Sequence, residues 1–269
     1  MASVAAINDL SGVGKCSLTI VLPVLSAMGQ EVHPVPTAIL SAHTGYAHYS
    51  FLDFTPHMKE YLLDWKQHGF HFDCVFSGFL GSEIQIEYIS DFIASTQKDT
   101  LIVIDPVMGD NGHAYRTYTQ AMCTNMRNLI QRADLITPNL TEASILLEES
   151  YPQHLSVSQA ESWLKRLHRM GPKKVVITGI QQEEQWLNYA YDSETEICLI
   201  TKNSNAEACY GGTGDLFTSI LTGSLLQGIS FPDAVKKATT FTSNAVRYSK
   251  EQNVPEKNGL LFEPLLKEI

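Results

Sequence analysis

The chain carries no Cys-x-x-Cys pair, no long apolar run, no excess of positive charge and no Pro- or Gly-rich linker. Each absence removes a class of protein. Its five cysteines, Cys16, Cys74, Cys123, Cys198 and Cys209, are odd in number and far apart. Such a set argues against a disulfide framework or a thiolate metal site and reads as reduced thiols or small buried hydrophobes. No segment approaches the ~18 apolar residues of a membrane span, and the first residues hold no basic stretch ahead of an apolar one. The expectation is a soluble, cytoplasmic protein with neither a signal peptide nor a membrane partner. Lysine and arginine number 19 against 29 acids, a formal charge of −10. That balance argues against nucleic acid and anionic membranes, both of which need a basic footprint. Without repeats or low-complexity tracts, residues 1–269 are expected to form one domain.

What is present is an alternation. Short β-branched runs at 4–7, 31–35, 74–76, 101–104, 135–136 and 175–178 alternate with helical patterns at 82–96, 119–131 and 158–170. This is the signature of an α/β fold whose mostly parallel sheet is covered on both faces. Residues 186–191 and 197–201 read as two adjacent strands, antiparallel at a sheet edge. Two helices then close the pattern. The first starts at Thr213 with one apolar stripe through Leu216, Phe217, Ile220, Leu221 and Leu225, and the second starts near Pro232.

Two glycine-rich segments compete for a phosphate. Ser11-Gly12-Val13-Gly14-Lys15-Cys16-Ser17 resembles a P-loop, but that motif needs glycine where Asp9 stands and a hydroxyl where Cys16 stands. A tight strand-to-helix turn lining a substrate pocket is the better reading. In Gly211-Gly212-Thr213-Gly214-Asp215, glycines allow close backbone approach, and the first helical turn aims free amides and a partial positive charge at an anion. Asp215 could there take the proton of an attacking alcohol while the amides hold the transferred phosphoryl group. By local pattern alone it reads as well as an ordinary first-turn acid.

Gly-Thr-Gly-Asp-Leu-Phe at 212–217 resembles the signature of pyridoxal kinases of the ribokinase-like superfamily. Three more segments fit in order: His43-Thr44-Gly45-Tyr46-Ala47-His48, Asp105-Pro106-Val107-Met108-Gly109-Asp110, and Thr137-Pro138-Asn139-Leu140-Thr141-Glu142-Ala143. The resemblance spans residues 7 to 248. It implies a single-domain ribokinase-like three-layer sandwich and transfer of the ATP γ-phosphate to the 5′-hydroxymethyl group of a B6 vitamer. Asp215 would be the base and Gly212, Thr213 and Gly214 the anion-binding turn. Asp105, Asn139, Thr178, Thr213 and Tyr115 would face ATP, with residues 112–115 a flexible cover over the nucleotide. Asp110 and Glu142 would hold Mg²⁺, with K⁺ a further candidate cation. Asp9, His43, Thr44, Tyr46 and Phe79 would form the acceptor side, and the family implies a homodimer.

Simpler roles stand beside several of these: a turn-forming Asp105 and Asp110, a capping box from Asn139 to Glu142, a strand-end Thr178, and structural His43 and Tyr46. Asp9 and Phe79 depart from the pyridoxal kinase pattern, which has Ser and Tyr at these places. Asn-Asp-Leu-Ser-Gly at 8–12 is instead similar to hydroxymethylpyrimidine kinases, the nearest alternative. A P-loop ATPase using Lys15 and a non-catalytic vitamer carrier are the more distant ones.

Overall fold

The computed structural model describes residues 1–182, 185–203 and 210–269. Parallel strands β1 (Ser3–Ser11), β2 (Glu31–Leu40), β4 (Cys74–Ser77), β5 (Leu101–Ile104), β8 (Leu135–Ile136) and β9 (Lys174–Gln182) form the middle of a sheet. Antiparallel β3 (Phe51–Asp53) closes one edge, and β10 (Gln185–Asp192) with β11 (Ile197–Asn203) the other. Among the described residues the sheet has nine strands, in the order β11-β10-β9-β8-β5-β4-β1-β2-β3.

Successive strand residues point to opposite faces, so each strand feeds two cores. Ala5, Ile7, Val75, Ile102, Ile104 and Ile177 meet α2 (Thr55–Gln67), α3 (Glu83–Ala94), α4 (Gln120–Ile130), α5 (Leu140–Leu147) and α6 (Val157–Arg169). Val4, Ala6, Phe76, Val103, Leu135 and Val176 meet α1 (Leu18–Ala27), α7 (Thr213–Leu226) and α8 (Phe231–Glu251). The result is the expected helix–sheet–helix sandwich.

Four features differ from the sequence expectation. First, β3 and α2 had no signal, because α2 buries only Met58 and Leu62 and β3 is exposed throughout. Second, α7 is buried almost all round rather than along one stripe, and Leu225 is only half-buried. Its polar residues are absorbed by hydrogen bonds: Thr218 donates to Thr137 Oγ1, Ser219 to the Asp215 carbonyl and Ser224 to the Ile220 carbonyl. Third, the segment expected to be a flexible cover is a hairpin, β6 (Gly109–Asp110) with β7 (His113–Ala114). Asn111 and Gly112, at φ 51° and 79°, supply the positive φ pair that a tight two-residue turn needs. Fourth, two 3-10 turns, Glu256–Asn258 and Glu263–Glu268, follow α8. Of the cysteines, the four described are free thiols, two buried and two half-buried, while Cys209 lies outside the described residues. Among the described residues no helix is long and apolar enough to cross a membrane.

Candidate active site

Parallel strands direct their carboxyl ends to one edge of the sheet, where open α/β folds place ligands. Asp105 follows β5, Thr137 follows β8 and Thr178 lies in β9, and all three line a cavity of about 570 Å³. Asp110, Tyr115, Asn139, Glu142, Gly212, Thr213, Gly214 and Asp215 line it too. Every expected nucleotide and metal residue therefore meets in one space.

The start of α7 is shaped by Gly212, at φ 82°, where a Cβ would lie 2.3 Å from the Lys15 carbonyl oxygen. Only glycine allows both that backbone conformation and that approach. Thr213 donates its hydroxyl to the Tyr210 carbonyl at 2.7 Å, closing the turn. Asp215 then sits in the first turn, where Asn8 Nδ2 donates to its Oδ1 at 3.3 Å. Burial pushes the Asp215 carboxyl up to about 6, with the Asp9 charge adding to the rise and the amides of Ser17 and Asn8 opposing it.

Acid accumulates around this point. Burial first, and the Asp215 charge second, raise Asp105. Burial and the Asp105 charge raise Glu142 well above its ordinary range. Glu142 also completes a capping box: its two oxygens accept from the amides of Asn139 at 2.7 Å and Met108 at 3.2 Å, while Asn139 Oδ1 accepts from the Glu142 amide. Asn139 Nδ2 donates to the Gly109 carbonyl, tying α5 to the hairpin. Asp110 is exposed in that hairpin and accepts from the Asn111 amide. The cavity lining contains no lysine or arginine among the described residues. Neither do they contain a group of three or more His, Cys, Asp or Glu side chains arranged to hold a metal alone. A hard cation sharing its shell with phosphate oxygens and water, as Mg²⁺ does, fits a donor set of this kind.

The expected acceptor residues are not in this cavity. They lie beside it, behind Asp215. Asp9 is buried, and its carboxylate accepts from the hydroxyls of Ser11 and Ser17. Burial raises its pKa against those bonds. His43 fills the space above Gly14, where a Cβ would be 2.0 Å from its ring. His43 Nε2 lies 2.8 Å from the Lys257 carbonyl, which can only accept, while Nδ1 accepts from the Gly45 amide. Both ring nitrogens are thus committed, in the neutral tautomer protonated at Nε2. Tyr46 donates to Asn258 Oδ1 at 3.0 Å. Phe79 is half-buried, and its amide donates to Asn8 Oδ1 at 2.9 Å. Thr44 is exposed at a turn, away from the cavity lining.

Lys15 is turned away from the cavity. Its Nζ pairs with Glu263 at 2.6 Å and lies 5.6 Å from the Phe262 ring centroid. The turn from Gly12 to Ser17 does not line the cavity either; it backs the start of α7. Cys16, beside it, has its thiol pushed up to about 12 by burial and by the Asp9 and Asp215 charges, which disfavours the thiolate.

Sequence reasoning missed two residues here. Asn8 is 2% exposed and serves Asp9, Phe79 and Asp215 at once. Ser17 adopts φ 53°, rare for a non-glycine, and directs its amide to Asp215 and its hydroxyl to Asp9. Asn8 stood inside the Asn-Asp-Leu-Ser-Gly run, so a signal existed. Ser17 stood at the end of the 11–17 turn, where nothing local marks its positive φ or its bond to Asp215.

A profile of the phosphomethylpyrimidine kinase family matches residues 7–260. A hydroxymethylpyrimidine/phosphomethylpyrimidine kinase of Haemophilus influenzae is 31% identical over 195 residues, covering 68% of this chain and 67% of that protein. A Bacteroides thetaiotaomicron protein, provisionally described as a phosphomethylpyrimidine kinase and crystallised with pyridoxal, is 42% identical. It superposes with a TM-score of 0.96 over 99% of this chain and 95% of its own. Pyridoxal kinase from Lactobacillus plantarum is 30% identical, with a TM-score of 0.92 over 100% and 96% of the two chains.

Proposed function

Since the chain belongs to the phosphomethylpyrimidine kinase family, we propose that it phosphorylates the 5′-hydroxymethyl group of pyridoxal, pyridoxine or pyridoxamine with ATP. The carrying observation is the place of Asp215. Its carboxylate lines the cavity that gathers the nucleotide-side residues, and it is held from the other side by Asn8 and Ser17, among the acceptor-side loops. A base between two such regions can take a hydroxyl proton as that oxygen attacks the γ-phosphorus. The oxygen bridging to ADP leaves, and the proton stays on Asp215.

The amides at Gly212 to Gly214 begin α7 and meet the negative charge of the phosphoryl group in flight. Asn139 and Thr178 stand on the phosphate side, and Tyr115 on the hairpin covers the nucleotide. Asp110 and Glu142 would hold Mg²⁺, which when bound neutralises charge on the phosphates and on the acids around them. Asp9, His43 and Tyr46 frame the acceptor loops through hydrogen bonds within the protein, and Phe79 offers the ring a flat apolar face. Cytoplasmic placement and a homodimer belong to the same reading.

The Bacteroides protein crystallised with pyridoxal supports the vitamer as acceptor. Asp9 favours a second reading, a hydroxymethylpyrimidine kinase, and the Haemophilus relative supports it. Both use the same base and the same phosphoryl chemistry. One experiment separates them: turnover with ATP and Mg²⁺, following phosphorylated product from pyridoxal, pyridoxine, pyridoxamine and hydroxymethylpyrimidine in parallel. A kcat/KM at least tenfold higher for a vitamer supports the first reading. The reverse ranking installs the second, and no product from any acceptor overturns both.

A further inference from the structure

The turn Glu256–Asn258, with Gly259 after it, touches neither the cavity nor Asp215, and nothing above gives it a role in the reaction. Its contacts are nonetheless concentrated on the acceptor loops. The Lys257 carbonyl accepts from His43 Nε2, and Asn258 Oδ1 accepts from the Tyr46 hydroxyl, both across more than 200 residues of chain. Gly259, at φ 76°, presses so closely on Lys15 that a Cβ would come within 2.8 Å of its backbone nitrogen and oxygen. His43 in turn occupies the space above Gly14 and sits 4.9 Å, ring to ring, from Tyr46. Three segments, 12–15, 43–46 and 257–259, therefore interlock.

The 257–259 segment is tied to the core by the residues that follow it. Leu260 and Phe262 are fully buried against the core shared with α1, α7 and α8. The Leu261 amide donates to Ser249 Oγ on α8, and Glu263 pairs with Lys15. Val13, Thr44, Gly45 and Tyr49 in the acceptor loops are exposed, as are Lys257 and Asn258 themselves. The hydrogen bonds of His43 and Tyr46 tie these loops to the residues just ahead of that buried stretch.

We propose that Asn258 is a positioning residue for acceptor binding: through Tyr46 it sets the shape of the acceptor site, without touching the acceptor or the nucleotide. This rests on the kinase reading above, with either acceptor. A solvent-exposed hydrogen bond adds little to global stability, so its loss reads out in the loop rather than in the fold.

The test is a double-variant cycle with Asn258→Ala, Tyr46→Phe and the pair together. Each is assayed with whichever acceptor the wild-type chain phosphorylates best, and separately for ATP. Each single variant is expected to raise the acceptor KM about three- to tenfold, the range for loss of one hydrogen bond. The pair should be no worse than the worse single variant, and the ATP KM should stay within about twofold. Thermal unfolding confirms that each variant is folded. Multiplying effects in the pair, an unchanged acceptor KM, or equal rises in both KM values overturn the inference. A wild-type chain that phosphorylates no acceptor overturns the kinase reading and this inference with it. An active wild type with the wrong variant pattern overturns this inference alone.

Discussion

Asn8 Nδ2 lies 3.3 Å from Asp215 Oδ1, a bond between the end of β1 and the start of α7 that spans 207 residues of chain. The same side chain accepts from the amides of Asp9 and Phe79. Space for it exists because residue 78 is glycine, where a Cβ would fall 2.2 Å from Asn8 Nδ2. One buried amide thus sets the carboxylate and the acceptor-side backbone relative to each other.

Asp215→Ala removes the carboxylate proposed as the base and leaves the amides of the turn in place. The expected loss in kcat is about 10²- to 10⁴-fold, the usual worth of a positioned general base. The ATP dissociation constant, measured by calorimetry without acceptor, should change less than about threefold. Near-normal turnover would remove Asp215 from the mechanism.

The acid limb of the pH profile should follow this carboxylate. Its pKa is raised to about 6, so it is protonated to a higher pH than an ordinary aspartate. A base works only when deprotonated, so kcat/KM should fall as pH drops through about 6 and level off above it. Asn8→Ala removes a donor that favours the charged form, so the limb should move to higher pH. A limb that stays in place breaks the link between Asn8 and Asp215.

Asp105 should trade stability for function. Its carboxyl is raised by burial and by Asp215, so the folded chain binds that proton more tightly than the unfolded one. The proton therefore favours folding at low pH, and stability declines as pH rises from about 4, the unfolded value, through the raised folded one. Asp105→Asn avoids this decline. Without nucleotide, the variant should melt several degrees higher at pH 8, at roughly 2–4 °C per kcal/mol, and show no gain near pH 4. Activity should fall at both. Equal melting temperatures at pH 8 would contradict the electrostatic account.

The two neighbouring glycines should behave differently. Gly212→Ala faces a positive φ and a contact at 2.3 Å, whereas a Cβ on Gly211 meets nothing within 4 Å. The first should destabilise by about 1–3 kcal/mol or more, and the second by less than about 0.5 kcal/mol, as for open sites. Urea unfolding of both variants measures the difference, and similar costs would argue against the close approach of Lys15 and α7.

Lys15→Ala separates this site from a P-loop. The ion pair with Glu263 is partly exposed, so its loss should cost under about 1 kcal/mol. The ATP KM should be unchanged. A large rise in that KM would restore a phosphate-binding role to Lys15.

Much of the architecture was legible because it repeats. Strands such as Leu101–Ile104 and Leu135–Ile136 are short apolar runs with turn residues around them, and their bounds could be read directly. α7 was found at its correct start, yet its burial was underestimated, since Thr218, Ser219, Thr222 and Ser224 look solvent-facing until α1 and α8 enclose them. Residues 112–115 looked like a loose cover, and their pairing with 109–110 went unseen, because a two-residue strand carries no periodicity. The residues expected on the nucleotide side line one cavity; Asp105 and Asn139 come after recognisable strands and Thr213 opens a helix, whereas Asp110 and Tyr115 carry no such local signal. The acceptor-side residues were named, but their partners were not.

The sequence by itself determined the α/β class, the acid at the start of α7 and the ordered motifs around it, because local spacing and strand-helix alternation encode these. Only the tertiary structure decided which side chains are free to meet a ligand. In the sequence His43, Tyr46 and Asp9 read as acceptor-side groups, and folding adds hydrogen bonds within the protein to Lys257, Asn258, Ser11 and Ser17 that no local pattern announces. Asn8, noticed in the sequence only as part of the 8–12 run, is the residue that holds the Asp215 carboxylate. Hydrogen bonds across 200 residues leave no local pattern, since each depends on where two distant elements end in space.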